Sequence, residues 1–145
     1  ELIYEAAIYG MQGICWYYYN YAEPLRMKYI VEGFNTIVPF EDLIINGHIV
    51  NTVKNGNPAT QVTRREYNGE GLIAIRAYGA PSAQKTTLAF TDLKKETWIY
   101  HCKTGKKIAE LSPAKPSVQI TIPGNRCDLF YIGSPSQWKE RMKNR

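Results

Sequence analysis

Histidine and cysteine are scarce, with two of the first and three of the second in 145 residues. His48 and His101 have no second ligand at a metal spacing, and Cys15, Cys102 and Cys127 form no C-x-x-C pair. Neither a zinc site nor a complete disulfide framework is therefore indicated. Cys102 and Cys127 either pair, if their strands are neighbours, or remain buried thiols acting as small hydrophobes. Long apolar runs are missing too. None approaches the roughly 20 residues of a membrane-spanning helix, and the N-terminus lacks the basic, apolar and small-residue succession of a signal peptide. A phosphate-cradling glycine loop is also missing, since Gly69-Glu70-Gly71 reads as a hairpin turn. Sequence distance supports no Ser-His-Asp arrangement, and no repeat recurs at a fixed period. No metal, no cofactor and no membrane contact is expected.

Acidic charge is thin in one half only. Residues 1 to 50 hold six acidic and two basic residues, whereas residues 101 to 145 hold three acidic and nine basic ones, for a net charge of +5. The Lys and Arg residues are scattered through hairpins and a polar tail rather than gathered on a recognition helix, so nucleic acid is not an expected partner. What is present suits a globular chain, with 44% hydrophobic and 21% charged residues. The chain opens at Glu1 inside an amphipathic pattern, which leads us to expect a fragment of a longer protein.

The hydrophobic period changes along the chain. In ELIYEAAIYG, Leu2, Ala6 and Tyr9 share a helical face that closes on Gly10. MQGICWYYYN is short, aromatic and apolar on both faces, as a buried parallel strand would be. After Glu23-Pro24, residues Leu25, Tyr29, Ile30 and Phe34 recur at helical spacing to about Thr36. From Leu43 onward the period is two. Asn46-Gly47 in LIINGHIV predicts a type I′ hairpin. A meander of short strands follows: QVTRREY, GLIAIRAYG, TTLAFTD, ETWIYHC, KKIAEL, SVQITI and CDLFYIG.

Alternation places Leu72 and Ala74 opposite Ile73 and Ile75, and makes GLIAIRA a central strand. Ile73, Ile75, Leu88, Phe90, Ile99, Ile120 and Leu129 are expected to form one core. Arg64, Arg65 and Glu66 are expected to pair on an exposed face. The tail SPSQWKERMKNR reads as a short helix or a frayed end. The predicted class is mainly β, an antiparallel β-sandwich over residues 43 to 133, preceded by helix-strand-helix in 1 to 42 and followed by a polar tail in 134 to 145.

Chemistry concentrates in Trp16, Tyr17, Tyr18, Tyr19 and Tyr21. Rings with polar tips stack on sugar faces and hydrogen-bond sugar oxygens, although the same rings also suit a core beneath the next helix. ELIYEAAIYGMQGICWYYYNY resembles the last helix, strand and loop of (β/α)8-barrel glycoside hydrolases. REYNGEGLIAIRAYG and WIYHCKTGKKIAEL are similar to the small β-sandwich that follows such barrels.

The resemblance implies that residues 1 to 42 are the last barrel strand with its flanking helices. It further implies that Trp16, Tyr18 and Asn20 contact an oligo- or polysaccharide, that the N-terminal barrel is the missing partner, and that the location is secreted or periplasmic. Glycoside hydrolysis requires two flanking carboxylates. Of those near the aromatic strand only Glu23 lies at the appropriate end, where it also suits a helix N-terminus. No catalytic residue is therefore assigned, and the chain alone is expected to be inactive. Two rivals stand beside this reading. One is a carbohydrate-binding module with a platform of Tyr67, Tyr78, Trp98 or Tyr100, and the other is a purely structural domain.

Overall fold

A computed structural model describes residues 2–11 and 24–143. Helix α1 (Leu2–Ile8) is followed by α2 (Pro24–Ile37), a 3-10 turn (Val38–Phe40) and α3 (Glu41–Asn46). Nine strands come next among the described residues: β1 (His48–Val50), β2 (Val53–Asn55), β3 (Gln61–Tyr67), β4 (Glu70–Arg76), β5 (Gln84–Phe90), β6 (Thr97–His101), β7 (Lys107–Leu111), β8 (Ser117–Ile122) and β9 (Cys127–Gly133). Helix α4 (Pro135–Met142) ends the described chain. The strands form a six-stranded sheet, β1-β3-β4-β9-β6-β7, and a three-stranded sheet, β2-β5-β8, with every ladder antiparallel. The fold is an antiparallel β-sandwich with a helical layer on the outer face of the larger sheet.

Strand β4 shows why. It runs between β3 and β9, and Leu72, Ile73, Ala74 and Ile75 are fully buried because both faces are covered. Leu72 and Ala74 join the helices in one core, while Ile73 and Ile75 join Leu88, Phe90, Ile99 and Ile120 between the sheets. Leu129 departs from the expected single core. It lies on the helix side with Cys127 and Tyr131, because the alternation of β9 sends Phe130 and Ile132 to the other face.

The strands are not one meander. The chain passes from β4 to the small sheet at β5, returns for the β6–β7 hairpin, leaves again for β8 and closes the large sheet with β9. The β3–β4 hairpin turns at Asn68-Gly69, both at positive φ (51° and 74°), as a type I′ turn requires. Gly71 lies inside β4 rather than in the turn.

The hairpin expected at Asn46-Gly47 does not exist. Leu43, Ile44 and Asn46 belong to α3, which opens after Pro39 with Glu41 and Asp42 in its first turn, where acidic side chains favour a helix N-terminus. Gly47 ends the helix and its N–H reaches Leu43 O at 3.1 Å. Its backbone is extended, at φ −75°. Glycine is needed there because a Cβ would run into Leu43 O and stand 3.0 Å from Glu66 O, where β1 joins β3.

Candidate functional site

Three arginines of β3 and β4 fasten the layers together. Sequence reading put Arg64 and Arg65 on an exposed face, but they are only 7% and 8% exposed. Both faces of this sheet are covered, so the alternation that solvates a charge in a one-sided sheet buries it here. Arg64 faces the small sheet. Its Nη1 donates to Asp92 Oδ1 at 2.8 Å and to Thr52 Oγ1 at 2.8 Å, and its Nη2 to Glu66 Oε2 at 2.8 Å.

Arg65 faces the helices and donates to the carbonyls of Leu43 (3.0 Å) and Ile8 (3.4 Å). Burial pulls its pKa below the usual guanidinium range. Arg76 reaches Glu5 (3.1 Å) and Tyr9 Oη (3.2 Å) on and beside α1. Burial opposes its charge, but those hydrogen bonds outweigh burial and its pKa rises. Arg65 thus caps the Ile8 carbonyl at the end of α1 and adds a second donor to Leu43 O, which also accepts from the Gly47 N–H.

A second network holds α4. Tyr131 Oη and Arg141 Nε both donate to Glu70 Oε2, and Arg141 also donates to Asp42 Oδ1 at 2.7 Å and to Pro39 O at 2.9 Å. Burial and the bond to Glu70 push the Tyr131 phenol far above its usual range. The hydrogen bond from Arg141 holds Asp42 below the usual carboxylate range, which is the reverse of what a general acid at neutral pH requires. Trp138 stacks on Tyr100 at 4.4 Å and 4°, and beside Phe40 at 6.1 Å. Ser134 and Gln137 form the capping box that starts this helix. The motif S-P-S-Q carried that signal in the sequence, yet the roles of Trp138 and Arg141 were not anticipated.

Among the described residues, two surface clefts border clusters of charged side chains. One of about 450 Å³ lies between α1, α2 and the start of β9, lined by Tyr4, Tyr29, Glu32, Lys103, Arg126 and Asp128 among others. Lys103 Nζ approaches Glu32 at 3.7 Å, and His101 Nε2 approaches Asp128 at 3.8 Å. The other, of about 410 Å³, lies beside Arg64, Asp92, Lys94 and Lys95. In these clefts Glu32 is paired with Lys103, and Glu66 and Asp92 with Arg64, an arrangement that fixes structure. Among the described residues no three His, Cys, Asp or Glu side chains gather as a metal site, and no helix is long and apolar enough to cross a membrane.

Trp16, Tyr18, Asn20 and Glu23 lie outside the described residues, as does Cys15. Cys102 and Cys127 are buried thiols not bridged to one another, and burial pushes Cys127 up to about 12. His48 is an exposed strand residue, and the His101 ring contacts the Phe130 edge at 5.2 Å. The four rings considered for a sugar platform on the sandwich do not make one. Tyr100 is buried under Trp138, Trp98 is tilted 38° to it beneath Lys107, Tyr67 is half-buried against the helix-side core, and Tyr78 stands exposed. A flat shared face, which a stacking platform requires, is therefore lacking among these four.

No protein-family model matches the sequence, and no curated protein matches it. Solved structures do match the fold. An α-amylase from Anoxybacillus superposes with a TM-score of 0.58 at 12% identity, over 79% of this chain and 24% of its own. The fold is one found within glycoside hydrolases. An α-galactosidase I from Mortierella vinacea gives a TM-score of 0.54 at 10% identity, over 76% of this chain and 28% of its own. An α-amylase from Geobacillus thermoleovorans, complexed with acarbose, gives 0.54 at 12% identity, over 73% and 23%. The chain thus spans about a quarter of the length of these structures.

Proposed function

We propose that this chain is the C-terminal part of a glycoside hydrolase acting on an oligo- or polysaccharide. In this reading residues 1 to 42 hold the last strand of a (β/α)8 barrel with its flanking helices, and residues 43 to 133 form the accessory sandwich that buttresses it. The observation that carries it is the fold likeness, which takes in about three quarters of this chain and about one quarter of each hydrolase. Trp16, Tyr18 and Asn20 border the sugar site from the C-terminal end of the barrel strand, the end where such barrels place their chemistry. The carboxylate pair of hydrolysis comes from upstream strands, and within this chain Glu5, Asp42, Glu66, Glu70 and Asp92 are each paired with Arg64, Arg76 or Arg141.

The test is to express the complete polypeptide encoded by the reading frame that contains this chain, and to assay sugar release from an α-glucan and from aryl α-galactosides. Release is expected from the complete polypeptide and not from residues 1 to 145 alone. A complete polypeptide that cleaves no glycoside, or that carries no barrel strands ahead of Glu1, would overturn the reading.

A further inference from the structure

An open sheet edge can pair with another chain, and strands at such edges are usually kept short, charged or bulged. Three of the edge strands here follow that rule. Strands β1 and β2 have three residues each, and β7 carries Lys107 and Glu110 and meets β6 through a register shift at Ile99/Tyr100. Strand β8 does not follow it. It runs over six residues, Ser117-Val118-Gln119-Ile120-Thr121-Ile122, with no charged side chain, and among the described residues only β5 pairs with it.

The register shows which backbone groups face outward. The Phe90 N–H donates to Pro116 O at 2.8 Å, so residues 116, 118, 120 and 122 are those that bond to β5 in this ladder. Ser117, Gln119 and Thr121 therefore turn their N–H and C=O groups to the open edge, and their side chains are exposed on the outer face of the small sheet. Pro123 is the next residue of that set, and without an N–H it ends the row of donors.

We propose that the protein is a two-fold dimer in which β8 pairs antiparallel with β8 of a second copy, centred on Gln119. The strand matches itself in this register, and that match selects a second copy as the occupant. Gln119 meets Gln119 and Ser117 meets Thr121, so every outward N–H and C=O of these residues gains a partner. Val118 meets Ile120 on the inner face. Hydroxyl and aliphatic pairs of this kind favour pairing, and no like charges oppose it. The proposal does not depend on the hydrolase reading.

The test is sedimentation equilibrium of the complete polypeptide, as wild type, Gln119→Lys and Gln119→Glu, from about 1 to about 300 µM, a range suited to small interfaces. Residue 119 is exposed, so neither charge enters the core, and unchanged circular dichroism checks that the variants fold. Wild type is expected at dimer mass in the upper part of the range. Each variant alone is expected to dimerise at least about tenfold more weakly, because equal charges meet on the two-fold axis. An equimolar mixture of the two variants should regain the wild-type affinity. Wild type at monomer mass throughout would overturn the proposal, whether the edge is bare or covered by the rest of its own chain. Variants that dimerise as wild type does would overturn it too, since the contact would lie elsewhere. A mixture no tighter than either variant alone would remove the pairing about Gln119.

Discussion

Two glycines show how one residue type is required for two different reasons. Gly69 sits at φ 74° with nothing within 4 Å of a would-be Cβ, so its demand is purely conformational. Asparagine tolerates that region, and Gly69→Asn is expected to be nearly neutral in a denaturation midpoint. Gly47 has an extended backbone open to any residue, but Leu43 O and Glu66 O fill the space a side chain would take. Both obstacles are backbone atoms, so relief requires moving α3 away from β3. Gly47→Asn and Gly47→Ala are each expected to destabilise by about 1–3 kcal/mol, the usual penalty for forcing atoms into filled space. Equal effects of asparagine at 47 and 69 would show that the close approach at Gly47 does not constrain the fold. The arginines make a related point. Arg65 is held by two carbonyls rather than by a carboxylate, which a sequence pattern cannot reveal because nothing local distinguishes a buried arginine from a solvated one.

Among the elements, those whose signal is local were legible and those that depend on distant partners were not. Strand β4 was readable as central because Leu72, Ile73, Ala74 and Ile75 are apolar on both faces, a pattern that suits a doubly covered strand. Asn46-Gly47 misled because the same dipeptide that nucleates a hairpin also ends a helix, and the choice was made by α3 packing Leu43 and Ile44 into the core. Neither the division of strands between two sheets nor the place of Leu129 was available, since both follow from pairings far apart in sequence.

Helix α4 combines both kinds of signal. Its cap is local, but its hold on the protein comes from Trp138 and Arg141 meeting residues up to 102 positions away. Trp138→Ala is expected to cost about 3–5 kcal/mol, as for other buried tryptophans. The Asp42–Arg141 pair adds a dependence on pH. Arg141 depresses the pKa of Asp42 in the folded state. Its stabilisation is therefore fully present above the unfolded value, near about 4, and is lost as pH falls through the lower folded value. Tryptophan fluorescence and amide exchange of residues 135 to 142 should show α4 loosening below about pH 4, and Asp42→Asn should flatten that dependence. An acid profile identical in wild type and Asp42→Asn would remove Asp42 from the latch.

For the whole molecule, the question is whether the aromatic segment between α1 and α2 serves substrate or core. Both roles use the same residue type, and Trp16, Tyr18 and Asn20 were legible as candidates only through their place at the end of an apolar run in a hydrolase-like order of elements. The sandwich itself pairs Glu66, Glu70 and Asp92 with arginines and gives Tyr100 and Tyr131 to the α4 contact, which leaves sugar contact, in the proposed reading, to the other end of the chain. Trp16→Ala in the complete polypeptide separates the roles, because stacking and packing act on different observables. A ring that stacks on a sugar stabilises the bound substrate and its transition state, so its loss lowers kcat/KM. A tenfold loss corresponds to about 1.4 kcal/mol, and the unfolding midpoint should move little. A ring that packs the core contributes to folding in every state of the enzyme, so its loss costs about 3–5 kcal/mol of stability. Turnover per folded molecule would then stay unchanged. The expected result for Trp16→Ala is the first pattern, measured as kcat/KM on the preferred glycan beside a denaturation curve of the same preparation. The second pattern would make Trp16 a core residue, and with it the assignment of Tyr18 and Asn20 to the sugar site would fall, since all three rest on the same resemblance.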